Sequence, residues 1–213
     1  MLRRTLLTHT TICSVRKGNK VVLMGDRRVT LGQSVIAKDS AKKLRRAGTD
    51  VMVGFAGSTA DAMTLLEKLE GKLQEYPGQL LRACVELAKE WRGDKMLRRL
   101  EASMIVCDEN ETLEIDGSGN VLTPEADGIV AIGSGGMYAK AAARALVAVE
   151  GAPQLDAEYI CREAMRVAGS IDIFSNSSVD IDIIVKKESG PPSTANETAA
   201  PPAKSDVATP TTP

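Results

Sequence analysis

Residues 10–26 read TTICSVRKGNKVVLMGD. Two β-rich stretches flank Gly18-Asn19, a turn dipeptide, so the segment reads as strand, tight turn, strand. Ahead of it stands only the nine-residue leader MLRRTLLTH. One reading takes Thr10 and Thr11 as β-branched residues opening a strand, where threonine is common. The other has the leader removed, so that Thr10 becomes the first residue and carries a free amine beside its hydroxyl. The segment alone leaves both open.

Moving outward, VMVGFAG (51–57) is another short apolar run that ends in glycine. The period then changes. Ala62, Leu65, Leu66, Leu69 and Leu73 fall at helical spacing, and Leu81, Cys84, Val85 and Ala88 repeat it after the turn at Pro77-Gly78. Strands return at ASMIVCD (102–108), at TLEIDGSGNVL (112–122), which turns at Gly117–Gly119, and at GIVAIGSGG (128–136). A second helix pair is expected at 136–149 and 156–168, the latter capped by Asp156. Closing strands are expected at SIDIFS (170–175) and VDIDIIVKK (179–187). Blocks of strands and paired helices do not alternate one to one as a doubly wound fold would. The pattern predicts an α+β fold of antiparallel sheets with helix pairs packed outside.

The chain has 213 residues and a net charge of −1, enough length for one substantial core. The basic clusters Lys42-Lys43-Leu44-Arg45-Arg46 and Arg98-Arg99 are offset by nearby acids, so no electrostatic footprint for nucleic acid is expected. No run approaches the ~18 consecutive apolar residues of a bilayer span, and a soluble chain is expected. Cys13, Cys84, Cys107 and Cys161 lie in apolar stretches without C-x-x-C spacing, which predicts buried reduced thiols and a reducing compartment. The one histidine is His9, inside the leader. If the leader is lost, Ser-His-Asp and Cys-His catalysis are excluded.

From Ser189 the sequence becomes SGPPSTANETAAPPAKSDVATPTTP, too poor in large apolar residues to offset its ordering entropy, and is read as a disordered tail over 189–213. The leader, 1–9, carries Arg3 and Arg4 with no acid and has the composition of a very short organellar targeting segment. A mitochondrial matrix location is expected, with a bacterial cytoplasm as the alternative. Between these ends, 10–188 is read as one folded domain. Glycines precede two helices, in Gly57-Ser58-Thr59-Ala60-Asp61 and Gly133-Ser134-Gly135-Gly136. Neither loop has the lysine of a P-loop or the full dinucleotide fingerprint, so no nucleotide is expected on this chain. The same geometry can aim N–H groups at a developing oxyanion.

The segments TTICSVRKGNKVVLMGDRRVTLG, AKKLRR, VGFAGSTADAMTLLEKLEGKL, ELAKEWRGDKMLRRLEASMIV and AIGSGGMYAKAAARAL, in this order and spacing, resemble the HslV (ClpQ) family of peptidases, relatives of the proteasome β subunit. The resemblance covers about residues 10 to 186. It implies an N-terminal nucleophile hydrolase fold, a four-layer α-β-β-α sandwich, assembled as two stacked hexameric rings. It implies a threonine-type endopeptidase that hydrolyses unfolded polypeptide inside a closed chamber, supplied by a hexameric AAA+ ATPase of the HslU (ClpY) type.

Carried over position by position, the resemblance puts the nucleophile on Thr10. Without a histidine, the threonine's own α-amine, with an unperturbed pKa of about 8, can take the hydroxyl proton. Asp26 matches the family's buried acid and Lys43 its catalytic lysine, whose charge would keep the Thr10 amine neutral. Counted from the nucleophile, the segment between Gly32 and Lys42 is one residue longer than the family pattern. Lys42 therefore stays the alternative, on the opposite face if the segment is a strand. The resemblance further places the oxyanion donor on the Gly57 N–H and the proton-relaying serine on Ser134. It implies a monovalent cation, generally sodium, held through carbonyl oxygens of Gly169, Asp172 and Ser175. The competing readings are a catalytically silent ring subunit, a small-molecule amidase of the same superfamily, and an interaction module built on the tail.

Overall fold

The computed structural model describes residues 10–32, 34–95, 97, 102–149 and 154–186. The leader and the expected tail lie outside the described residues.

The opening hairpin forms as the sequence predicts. β1 (Thr11–Lys17) and β2 (Lys20–Asp26) pair antiparallel from Ile12↔Gly25 to Lys17↔Lys20, and Gly18 turns the chain at φ 61°. β10 (Ile129–Gly133) adds to the other side of β1 and β11 (Val179–Val185) to the other side of β2, giving the order β10-β1-β2-β11. A second antiparallel sheet runs β5-β6-β7-β8-β9, from Leu44–Ala47, Val51–Gly57, Ala102–Cys107, Thr112–Ile115 and Val121–Leu122. A separate hairpin, β3 (Val29–Leu31) with β4 (Val35–Lys38), projects from the end of β2.

Helices α1 (Thr59–Glu75) and α2 (Leu80–Gly93) cover one sheet, and α3 (Gly136–Ala148) and α4 (Ala157–Ile171) cover the other. Three apolar clusters mark the layers. Leu65, Leu69, Leu87 and Trp91 pack on Val53, Met104 and Val106. Cys13, Val15, Val22 and Met24 pack under Ile160, Cys161 and Met165. Between the sheets lie Ile12, Val21, Leu23, Met52, Ile105 and Val130. The result is the α-β-β-α sandwich. Because both faces of β1 are covered, its first five residues are all buried, which is why it reads as a nearly continuous apolar run.

The sheets close tightly around Ile12. A Cβ on Gly25 would sit 2.8 Å from Ile12 Cδ1, and one on Gly54 would sit 2.6 Å from Ile12 Cγ2. Arg16, near the far end of β1, bonds the carbonyls of Asp108, Glu109 and Glu111 in the β7–β8 loop and thereby ties one sheet to the other. The four cysteines are free and buried. Burial pushes the Cys84 thiol up to about 12 and that of Cys107 up to about 11.

Asp156 caps α4 as expected, accepting from the Tyr159 N–H at 2.8 Å. The strand expected at 170–175 does not form. Helix α4 runs on through Ser170 and Ile171, and a turn follows in which Asp172 N–H donates to the Ala168 carbonyl and Ser175 N–H to the Asp172 carbonyl. The alternation is real but inverted. Ile171 and Ile173 are 53% and 70% exposed, whereas Asp172 and Ser175 are buried. The last strand ends at Val185, one residue before Lys186, and Lys187 lies outside the described residues.

Candidate active site

The antiparallel registers bring the start of β1 and the ends of β2 and β10 to one edge of the sandwich. Thr11 lies opposite Gly133, and Ile12 opposite Gly25. In the other sheet, Lys43 immediately precedes β5, and Gly57 closes β6. Thr10, Lys43 and Gly57 share a pocket of about 310 Å³ with Phe55, Ala62 and Met63.

Asp26 is the centre of one arm of this site. Its side chain is fully buried and accepts from Lys43 Nζ at 2.7 Å. It also accepts from the backbone N–H of Thr11 at 2.8 Å and from that of Arg28 at 2.9 Å. Lys43 is 8% exposed at its side chain, while Lys42 is exposed. The structure thus brings Lys43, and not Lys42, onto the buried acid. Burial raises the Asp26 carboxyl above its ordinary value, partly offset by the Lys43 charge and by the three donors. Burial likewise lowers the Lys43 ammonium below its ordinary value, with Asp26 and then Asp172 pulling it back up. Two donors besides lysine keep the carboxylate paired, which a buried ion pair needs to be tolerated.

The second arm is built on the turn after α4. Asp172 Oδ2 accepts from Ser134 Oγ at 2.7 Å and from Ser175 Oγ at 2.6 Å, while Oδ1 accepts from the Phe174 N–H at 3.2 Å. Ser175 Oγ also lies 2.6 Å from Thr11 Oγ1. Glycines make this closeness possible. A Cβ on Gly133, at φ 89°, would lie 1.8 Å from the Thr10 carbonyl oxygen, a distance no side chain could accept.

Gly57 has φ 124°, a conformation that L side chains rarely adopt. Ser58, the residue before α1, makes no side-chain cap. The Gly57 N–H therefore sits where β6 gives way to a helix start, in the same pocket as Thr10.

All five residues expected to do chemistry thus lie at one edge of the sandwich. Two expected cation ligands, Asp172 and Ser175, turn their side chains into this site. What sequence reasoning missed is the Thr11 hydroxyl, and the aspartate as a hydrogen-bond centre. The signal available is the polar alternation at 170–175, which equally suits a strand. For a cation, the donors left are backbone carbonyls. Helix α4 ends at Ile171, so the carbonyls of its last turn, Gly169 included, sit at the negative end of the helix dipole. Hard oxygen donors of this kind fit a monovalent cation. Among the described residues, no group of three or more His, Cys, Asp or Glu could hold a metal ion.

A family model described as proteasome subunit matches residues 7–184. The ATP-dependent protease subunit HslV of Trypanosoma brucei brucei is 66% identical over 181 residues, 85% of each chain. The HslV subunit of Neorickettsia sennetsu is 54% identical over 176 residues, 82% of this chain and 92% of that one. Among solved structures, the eukaryotic HslV of Trypanosoma brucei superposes with a TM-score of 0.79 at 66% identity, over 82% of this chain and 99% of that chain. The BPH protein of Thiobacillus denitrificans, solved with epoxomicin, has a TM-score of 0.67 at 20% identity, over 83% and 99% of the two chains, and shares the fold.

Proposed function

The chain belongs to the proteasome subunit family, and from that premise we propose that it is the proteolytic subunit of an ATP-dependent chambered protease, a threonine-type peptidase of the HslV kind. The observation that carries the reading is Thr10 heading β1 in one pocket with Lys43 and Gly57, with Lys43 paired to the buried Asp26 at 2.7 Å.

In the mechanism, the leader 1–9 is removed and Thr10 presents a free amine. The Lys43 charge favours the neutral form of that amine, which takes the hydroxyl proton as Thr10 Oγ1 attacks the peptide carbonyl. The Gly57 N–H receives the oxyanion of the tetrahedral intermediate. Ser134, held on Asp172, relays the proton toward the leaving amine. The ester formed on Thr10 is then hydrolysed by water, with the amine acting as base again.

The finer assignments follow from the same reading. The peptidase domain is 10–188, and subunits stack as two hexameric rings whose chamber admits unfolded polypeptide. An AAA+ ATPase of the HslU type supplies it, since no nucleotide motif is present in the sequence. A sodium-like cation sits on carbonyls of Gly169, Asp172 and Ser175 and braces the turn that holds the second arm. The Arg3-Arg4 leader favours the mitochondrial matrix. A catalytically silent ring subunit would have no need of a buried lysine beside Thr10. The test is intact-mass analysis of the purified protein together with a peptidase assay. A mature chain beginning at Thr10 and active on peptides is expected, and full activity with the leader intact would overturn the mechanism.

A further inference from the structure

The hydrogen bonds at Ser175 fix the direction in which protons run. Ser175 Oγ donates to Asp172 Oδ2, and a hydroxyl has one proton to give. Its 2.6 Å contact with Thr11 Oγ1 is therefore an acceptance, with Thr11 the donor. Protons thus run from Thr11 to Ser175 to Asp172, and the Ser134 hydroxyl arrives at the same carboxylate oxygen. On its other side, Thr11 uses the N–H of the peptide that joins it to Thr10. That N–H donates to Asp26 Oδ1, the oxygen that also holds Lys43.

We propose that Thr11 is a positioning residue for peptide hydrolysis: its N–H fixes the Asp26–Lys43 arm, its hydroxyl fixes the Ser134–Asp172–Ser175 arm, and Thr10 is thereby set against both. The inference rests on Thr10 being the nucleophile. Thr11 is fully buried, and its neighbourhood reserves space for the hydroxyl. A Cβ on Gly135 would lie 2.1 Å from Thr11 Oγ1 and 3.1 Å from Asp172 Oδ2. Branching at Cβ restricts χ1, so the direction of the hydroxyl is tied to the backbone that carries Thr10. In a buried network each such bond polarises the next.

The test compares Thr11→Ser, Thr11→Ala, Ser175→Ala and the Thr11→Ala/Ser175→Ala double variant, each in processed, ring-assembled protein turning over a peptide. Thr11→Ser and Thr11→Ala both lose the methyl, so their ratio isolates the hydroxyl. Thr11→Ala is expected to lower kcat about tenfold, the scale of one buried hydrogen bond, with KM unchanged. Thr11→Ser should stay within about threefold of the parent on the same scale. The double variant should be no slower than the slower single one, because both break the same bond. Equal impairment of the Ser and Ala variants, a loss confined to KM, or multiplying effects in the double variant would overturn the proposal. Should Thr11→Ala fail to assemble, Thr11→Val keeps the branched shape, and its ratio to the parent isolates the hydroxyl, with the same loss of about tenfold in kcat expected and parental activity overturning the proposal. Activity retained in Thr10→Ala would sink the underlying reading. An inactive Thr10→Ala beside a fully active Thr11→Ala would sink the positioning role alone.

Discussion

Lys43 and Asp26 meet at 2.7 Å although one precedes a strand of the second sheet and the other ends a strand of the first. Their pairing therefore depends on both sheets being stacked in register. Lys43→Ala removes the charge that tunes the Thr10 amine and leaves Asp26 buried without its cation. Turnover is expected to fall by roughly 10²–10⁴, with a stability cost of about 3 kcal/mol. Lys42→Ala should stay near the parent. Peptide assays and denaturant melts on the two variants check both, and the opposite ranking would place the catalytic lysine one residue earlier.

Thr10→Ala in the processed chain keeps the amine and loses the nucleophile. Hydrolysis should vanish while the ring persists in gel filtration. Thr10→Ser keeps a hydroxyl with a freer rotamer and should retain part of the activity. A Thr10→Ala variant as active as the parent would exclude the mechanism.

The pH profile carries its own sign. Burial lowers Lys43 below its ordinary value of 10.5, and catalysis requires the charged form. Activity should be present below that depressed value and decline as pH rises through it, before 10.5 is reached. Stability moves the other way. The unfolded chain holds this proton more tightly, so the contribution of Lys43 to stability increases over the same interval. Measuring kcat/KM against pH checks the first statement; a plateau continuing past 10.5 would contradict it.

Gly57→Ala forces a side chain onto a φ of 124°. The peptide must rotate to relieve the strain, taking the N–H off the oxyanion. A loss of about 10²–10³ in kcat is expected, with assembly retained. Titration with an electrophilic peptide inhibitor that leaves an oxyanion should show the same loss in inactivation rate.

Deleting residues 189–213 should change neither assembly nor turnover, because a segment of this composition is expected to add no core. Gel filtration and a peptide assay on the truncated chain test this, and loss of the ring would refute it.

Much of the fold could be read from periodicity. The hairpin at 10–26 announces itself through its turn dipeptide between two nearly continuous apolar runs, covered on both faces. The helix pairs do so because one face of each packs on a sheet, and Asp156 is legible because a cap acts within three residues. The segment 170–175 was not legible for the opposite reason. Its Ile-Asp-Ile-Phe alternation would suit a strand, yet Asp172 bonds its own Phe174 N–H and reaches Ser134, 38 residues away. A pattern of period two cannot say which of its faces is inside when the inner one is polar. Thr11 was hidden in another way. Half its contribution comes from a backbone N–H, which every residue but proline possesses. Lys43 needed the start of β5 to be fixed before it could be told from Lys42.

The burial of all four cysteines bears on how this protein can be labelled. Burial keeps maleimides and iodoacetamides from all four sulfurs, and it further holds Cys84 and Cys107 as thiols near neutral pH, pushed to about 12 and about 11, so these reagents should leave the folded chain untouched. An N-terminal threonine, in contrast, is a 1,2-amino alcohol, a function that peptide-linked residues lack. Mild periodate would cleave it to an aldehyde, to which an aminooxy dye could be attached. The folded protein would then report its own maturation, one fluorophore for each subunit that has lost its leader.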